Sequence, residues 1–143
     1  MPPFMSQLPE HRPNRLSLGP LETEILQLLW DHGSMSVKDI HEKLLSDPDR
    51  ELAYASVTTV LRRLVQKGWL ACNSSQRAFC FTALIGRDAA RALAAHSHLQ
   101  AFLAVSTPEV AAAFADSLDQ ASVEQLDAIA RRIRSVREAR GEL

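Results

Sequence analysis

Acidic side chains are missing from one long internal stretch. Between Leu52 and Arg87 there is no aspartate or glutamate, while Arg62, Arg63, Lys67, Arg77 and Arg87 all fall there. The formal net charge of the 143-residue chain is only −1. By itself that total argues against a nucleic-acid partner, but its distribution argues the other way, leaving one locally basic face. Cysteine is scarce as well: Cys72 and Cys80 are the whole supply, which excludes a disulfide-stapled secreted scaffold and predicts reduced thiols in the cytoplasm. Long apolar runs are absent, and the N-terminus has no apolar signal core, so no membrane partner is expected. There is no glycine-rich phosphate loop, no nucleophile-elbow pattern and no H-E-x-x-H, and hence no predicted catalytic site. The close histidines His96 and His98 lie two apart, pointing to different sides of a helix, which is poor geometry for one metal. The sequence thus predicts no enzyme, no metal and no cofactor.

What is present is organised around Tyr54 to Gly68, YASVTTVLRRLVQKG. Val57, Val60, Leu61 and Leu64 follow the i, i+3, i+4, i+7 spacing of one buried helix face. The opposite side carries Ala55, Ser56, Thr58 and Thr59 in its first turns and Arg62 and Arg63 later. Small residues let a helix approach base edges, and arginines further along reach phosphates. Gly68 stops the helix.

Around this helix the chain reads in order. The residues before Leu18 contain Pro2, Pro3, Pro9 and Pro13 and read as a flexible arm, 1–17. Pro20 suits the first position of a helix with Leu21, Ile25, Leu28 and Leu29 inward, closed by Gly33. Ser36 is placed to cap a second helix carrying Val37, Ile40 and Leu44, with Lys38 on its outer side. After Gly68 the period changes from helical to two. Trp69–Cys72 and Ala78–Thr82 read as two strands joined by a polar turn carrying Arg77, with Phe79 and Phe81 facing the helices. Three helices followed by a basic-tipped hairpin make a winged helix-turn-helix over 18–84. Its third helix is expected in the major groove of double-stranded DNA, Ala55, Ser56, Thr58 and Thr59 near bases and Lys38, Arg62, Arg63 and Arg77 on phosphates. The fold expected is mostly α with a small β-hairpin.

From 85 to 143 the composition turns to alanine-rich helix. Thr107-Pro108 starts one segment, and Ser122 with Gln125 reads as a capping box for the last. The stripe of that last helix includes Leu126, Ile129, Ile133 and Val136. Helices this thin have little core of their own, so a homodimer is predicted, its two-fold symmetry matching a pseudo-palindromic operator.

The stretches LGPLETEILQLLW, SVKDIHEKL, SVTTVLRRLVQKGWL and RAFCFTAL resemble the penicillinase-repressor family, the BlaI, MecI and CopY type. The resemblance covers Leu18 to Leu84 well and is similar in layout beyond. It implies a dimeric repressor with an N-terminal winged helix and a C-terminal helical dimerisation region, acting by occupying a promoter. Where family repressors of β-lactam resistance are cleaved at an Asn-Phe bond, the nearest counterpart here is Ala113-Phe114. The paired C-terminal cysteines of the copper-sensing branch are absent, and the arm before Leu16 is longer than usual.

The two cysteines lie on facing strands of the wing. A three-residue turn centred on Gln76 places them directly opposite, within reach of a disulfide and a redox switch. A two-residue turn at Ser75-Gln76 places them on opposite faces. A second function class also fits the sequence, a winged-helix protein-interaction module without DNA binding. The acid-free stretch favours DNA.

Overall fold

The structure, a computed structural model, describes residues 8–74 and 79–142. Helix α1 (Pro20–His32) begins where Pro20 occupies the first turn and the Glu22 carboxylate accepts a 2.9 Å hydrogen bond from the Gly19 N–H. A two-residue strand, β1 (Met35–Ser36), precedes α2 (Val37–Leu44), whose N-terminus is capped as the sequence predicts, Ser36 Oγ accepting from the Asp39 N–H at 3.1 Å. Helix α3 (Tyr54–Gln66) follows, then β2 (Leu70–Asn73) and β3 (Cys80–Ala83). The three strands form one antiparallel sheet in the order β1-β3-β2. The expected hairpin therefore gains a third strand, because a two-residue element is too short to leave any periodicity in the sequence.

The inward faces of α1, α2 and α3 meet in one core. Ile25, Leu26, Ile40, Val57, Leu61 and Leu64 are completely buried, each contributing about 1.5–3 kcal/mol relative to exposure. Leu70 and Phe81 close that core from the sheet, fixing the wing against α3. Phe79 does not join them. It is 60% exposed, because it precedes β3 and lies past the cover of the helices.

Helix α4 (Arg87–Val105) starts on the same core, to which Ile85, Ala90 and Leu93 belong. Trp30 Nε1 donates to the Ile85 carbonyl at 2.9 Å, and the Arg87 guanidinium lies over the Trp30 ring while pairing with Asp31. The compact N-terminal unit consequently runs to His98, and the chain divides inside α4 rather than after Leu84. The second unit, from Leu99 onward, contains the end of α4, α5 (Pro108–Ala113) and α6 (Gln120–Ala139). Thr107 caps α5. Helix α6 starts earlier than Ser122, since the Asp119 carboxylate accepts from the Ser122 N–H at 2.8 Å and is itself the cap.

Residues 8–17 are not a free arm. Asn14 N–H donates to the Lys67 carbonyl at 2.7 Å and its side-chain amide to the Gln66 carbonyl at 3.2 Å. His11 Nε2 donates to the Gly68 carbonyl, and Trp69 Nε1 donates to the Arg15 carbonyl. The segment straps the C-terminal end of α3, satisfying carbonyls that a helix end leaves without partners.

Candidate nucleic-acid interface

On α3, Ala55, Ser56, Thr59, Arg62 and Arg63 are exposed together, and Thr58 is half-buried towards the wing. Both threonine hydroxyls are engaged within the helix: Thr58 Oγ1 donates to the Tyr54 carbonyl at 3.2 Å and Thr59 Oγ1 to the Ala55 carbonyl at 3.0 Å. Each therefore offers solvent a methyl group and an acceptor oxygen, not a donor. Lys38 is exposed on α2. Arg77, assigned to the wing tip from sequence, lies outside the described residues.

The acid-free stretch is smaller in space than in sequence. Lys67 Nζ lies 2.9 Å from both Glu22 carboxylate oxygens and donates to the Ser17 carbonyl. Burial works to raise the Glu22 pKa, yet the Gly19 N–H, the Lys67 ammonium and the Arg63 charge together hold it below its ordinary value. Arg87 is likewise taken by Asp31 and Gln27. Two of the five cations counted along the stretch thus answer acids of α1. Among the described residues no ion pair holds Arg62 or Arg63, which leaves them available to an external anion.

Two aromatic residues border this face, Tyr54, to which sequence reasoning gave no role, and Phe79, which it placed inward. Tyr54, 52% exposed, stands at the start of α3 and meets the His41 ring edge-on at 5.5 Å. His41 Nε2 in turn donates to the Leu52 carbonyl at 2.7 Å, tying α2 to the entry of α3. Tyr54 lay within the stretch already read as the interface, and its amphipathic ring was the available signal. Phe79 was read as inward by alternation, and no local pattern marks where the helices stop covering a strand.

The strand register decides the cysteine question. Cys72 pairs with Phe81 and Asn73 with Cys80, so the two thiols are out of register by one and on opposite faces of the ribbon. Direct opposition, the condition for a cross-strand disulfide, is not met, and both thiols are free. The redox-switch assignment to Cys72 and Cys80 is withdrawn on that ground. Among the described residues no three His, Cys, Asp or Glu side chains come together as metal ligands, and no helix is long and apolar enough to cross a membrane.

In the second unit, Leu126, Ile129 and Ile133 are 57%, 49% and 47% exposed and Val136 is half-buried. One helix thus shows a continuous apolar stripe to solvent.

Three helices closed by a small antiparallel sheet, with further helices after it, define a chain of the winged-helix class. Within that class the chain belongs to the penicillinase repressor family, which it matches over residues 18–135. That is a family of repressors, not of enzymes. The chain is 36% identical over 72 residues to the transcriptional regulator BlaI of Mycobacterium tuberculosis, covering 50% of this chain and 51% of that one. It is 26% identical over 106 residues to an uncharacterised 16.5 kDa protein of Latilactobacillus sakei, 74% of this chain and 69% of the other. Among solved structures it is similar to the DNA-binding domain of the repressor BlaI, with 25% identity and a TM-score of 0.44, covering 51% of this chain and 87% of that one. The chain spans about half the length of the M. tuberculosis regulator.

Proposed function

We propose that the protein is a cytoplasmic, homodimeric repressor that occupies a pseudo-palindromic DNA operator. The observation that carries this reading is the outer face of α3, where Ser56, Thr59, Arg62 and Arg63 are exposed side by side and neither arginine is held in an ion pair among the described residues. In this reading Ala55, Ser56, Thr58 and Thr59 approach base edges, the threonines as acceptors or through their methyl groups. Arg62, Arg63 and Lys38 hold phosphates, a role assigned from sequence also to Arg77, which lies outside the described residues. Two copies joined through Leu126, Ile129, Ile133 and Val136 present two α3 helices to successive major grooves. Repression follows from occupancy of the promoter.

A gel shift with genomic fragments at two salt concentrations tests the DNA contact. Retention of selected fragments that weakens with salt is expected, since each phosphate contact adds about one unit to the salt slope. Substituting both Arg62 and Arg63 by alanine should flatten that slope. Undiminished binding by this double variant would take α3 out of the interface.

A further inference from the structure

Between α3 and the wing lies an open groove of about 380 Å³. Val37, Val65, Phe79 and Phe81 supply its apolar lining, and Cys72 lines it as well. Thr58, Arg62 and Gln66 supply the polar groups along the α3 edge. The volume falls in the range of small-molecule sites, roughly 300–1,000 Å³, which combine mostly apolar walls with a few placed polar groups. That volume admits a compound of two fused rings.

Charge selects among small molecules. Among the described residues no acidic side chain lines the groove and no ion pair holds Arg62. A guanidinium presents a planar fork that matches a carboxylate in two parallel hydrogen bonds. Phe79, 60% exposed, is a ring face awaiting a planar apolar partner. We propose that this groove binds a small aromatic carboxylate, its rings against Phe79 and Phe81 and its carboxylate on Arg62. The site has a regulatory consequence that rests on the DNA reading above. Thr58 and Arg62 belong to both surfaces, so a carboxylate in the groove and a phosphate on α3 compete for the same guanidinium. Such a compound would release the protein from DNA without cleavage and without a disulfide.

Cys72 provides a probe inside the site. In the Cys80→Ser protein, alkylation of the remaining thiol by iodoacetamide is followed with and without naphthoate, and with neutral naphthylmethanol. Naphthoate at tenfold above its dissociation constant should slow alkylation about tenfold, and the alcohol should protect about tenfold less well at equal concentration, lacking the charge-assisted pair with Arg62. Arg62→Gln should erase the difference between the two compounds. Phe79→Ser, at a side chain too exposed to hold the fold, should remove protection by both while the thermal melt stays in place. Unchanged alkylation with naphthoate, equal protection by the alcohol, or protection that survives Phe79→Ser each overturns the proposal. Gel shifts run in parallel separate the two readings. Duplex retention with no effect of naphthoate on either assay sinks the groove site and leaves the DNA interface standing. Naphthoate protection in a protein that retains no duplex supports the site and removes the release step together with the DNA reading.

Discussion

At the scale of single residues, the face of α3 asks for two different experiments. Thr59 Oγ1 already donates to the Ala55 carbonyl, so a base can meet only its acceptor lone pair or its methyl group. Thr59→Val keeps the methyl and loses the oxygen, whereas Thr59→Ala loses both. If the oxygen reads a base, both variants should lose discrimination between operator sequences by about 1–3 kcal/mol; if the methyl reads thymine, only the alanine variant should. Competition gel shifts with single-base operator variants distinguish them, and a Thr59→Ala protein with unaltered discrimination would remove the residue from direct readout. Glu22 carries a different prediction. Its carboxylate is held below its ordinary pKa of 4.5 by Gly19, Lys67 and Arg63 acting against burial. A depressed carboxylate contributes stability that is complete above the unfolded value and is lost as pH falls through the folded one. Thermal melts should therefore drop below about pH 4.5, and Glu22→Gln should blunt that drop while costing about 1–3 kcal/mol near neutrality, because Lys67 loses its charged partner. A pH profile identical in the two proteins would contradict the pairing. This ion pair also shows why the electrostatic reading of the sequence was only half right. Absence of acids along the chain says nothing about acids brought by α1, so Lys67 and Arg87 were counted as available when Glu22 and Asp31 already held them.

At the scale of elements, most boundaries were legible because each is written in a few adjacent side chains. Pro20, Ser36, Thr107 and Gly68 sit where the sequence placed them as starts and stops. What escaped was set by partners distant in the chain. Gly68 is one case: its φ of +87° fits a helix stop, but a Cβ there would also lie 3.2 Å from Pro13 Cα and 3.3 Å from Asn14 N. The strap over α3 is thus built against a hydrogen atom at this position. Gly68→Ala should lose about 1–2 kcal/mol from the left-handed backbone alone and should also loosen residues 11–14, seen as faster amide exchange at Asn14. Wild-type exchange at Asn14 in the variant would mean the strap does not depend on the close approach. The cap of α6 is another case. Ser122 and Gln125 matched a capping pattern, yet Asp119, three residues earlier, offers a carboxylate that draws the Ser122 N–H and so takes the cap. The wing register is a third, since one residue more or less in a turn flips a strand, and no local signal distinguished the two turns considered for Cys72 and Cys80.

At the scale of the whole molecule, the remaining question is what covers the apolar stripe of α6. Leu126, Ile129 and Ile133 are each about half exposed in the single chain, and Leu99, Phe102, Leu103 and Leu118 of the same unit are also exposed. A soluble domain rarely leaves so many large apolar side chains in water unless they meet a partner. A second copy is the economical one, because a symmetric interface needs the same stripe only once and doubles the DNA contact. Replacing Ile129 and Ile133 by aspartate places four carboxylates in that seam, two from each copy, and their desolvation opposes association. Light scattering should then report a monomer. The winged-helix unit should keep its melting transition, since its core is built from other residues, from Ile25 through Leu93. Operator affinity should fall by about 100-fold or more, because linking two modest contacts raises avidity by roughly 10²–10⁴ and the variant loses the link. The two readouts divide the possibilities. A variant that remains dimeric places the interface on another surface, whereas a monomer that holds its operator as tightly as the native protein means that a single α3 supplies the binding and the two-fold match contributes nothing.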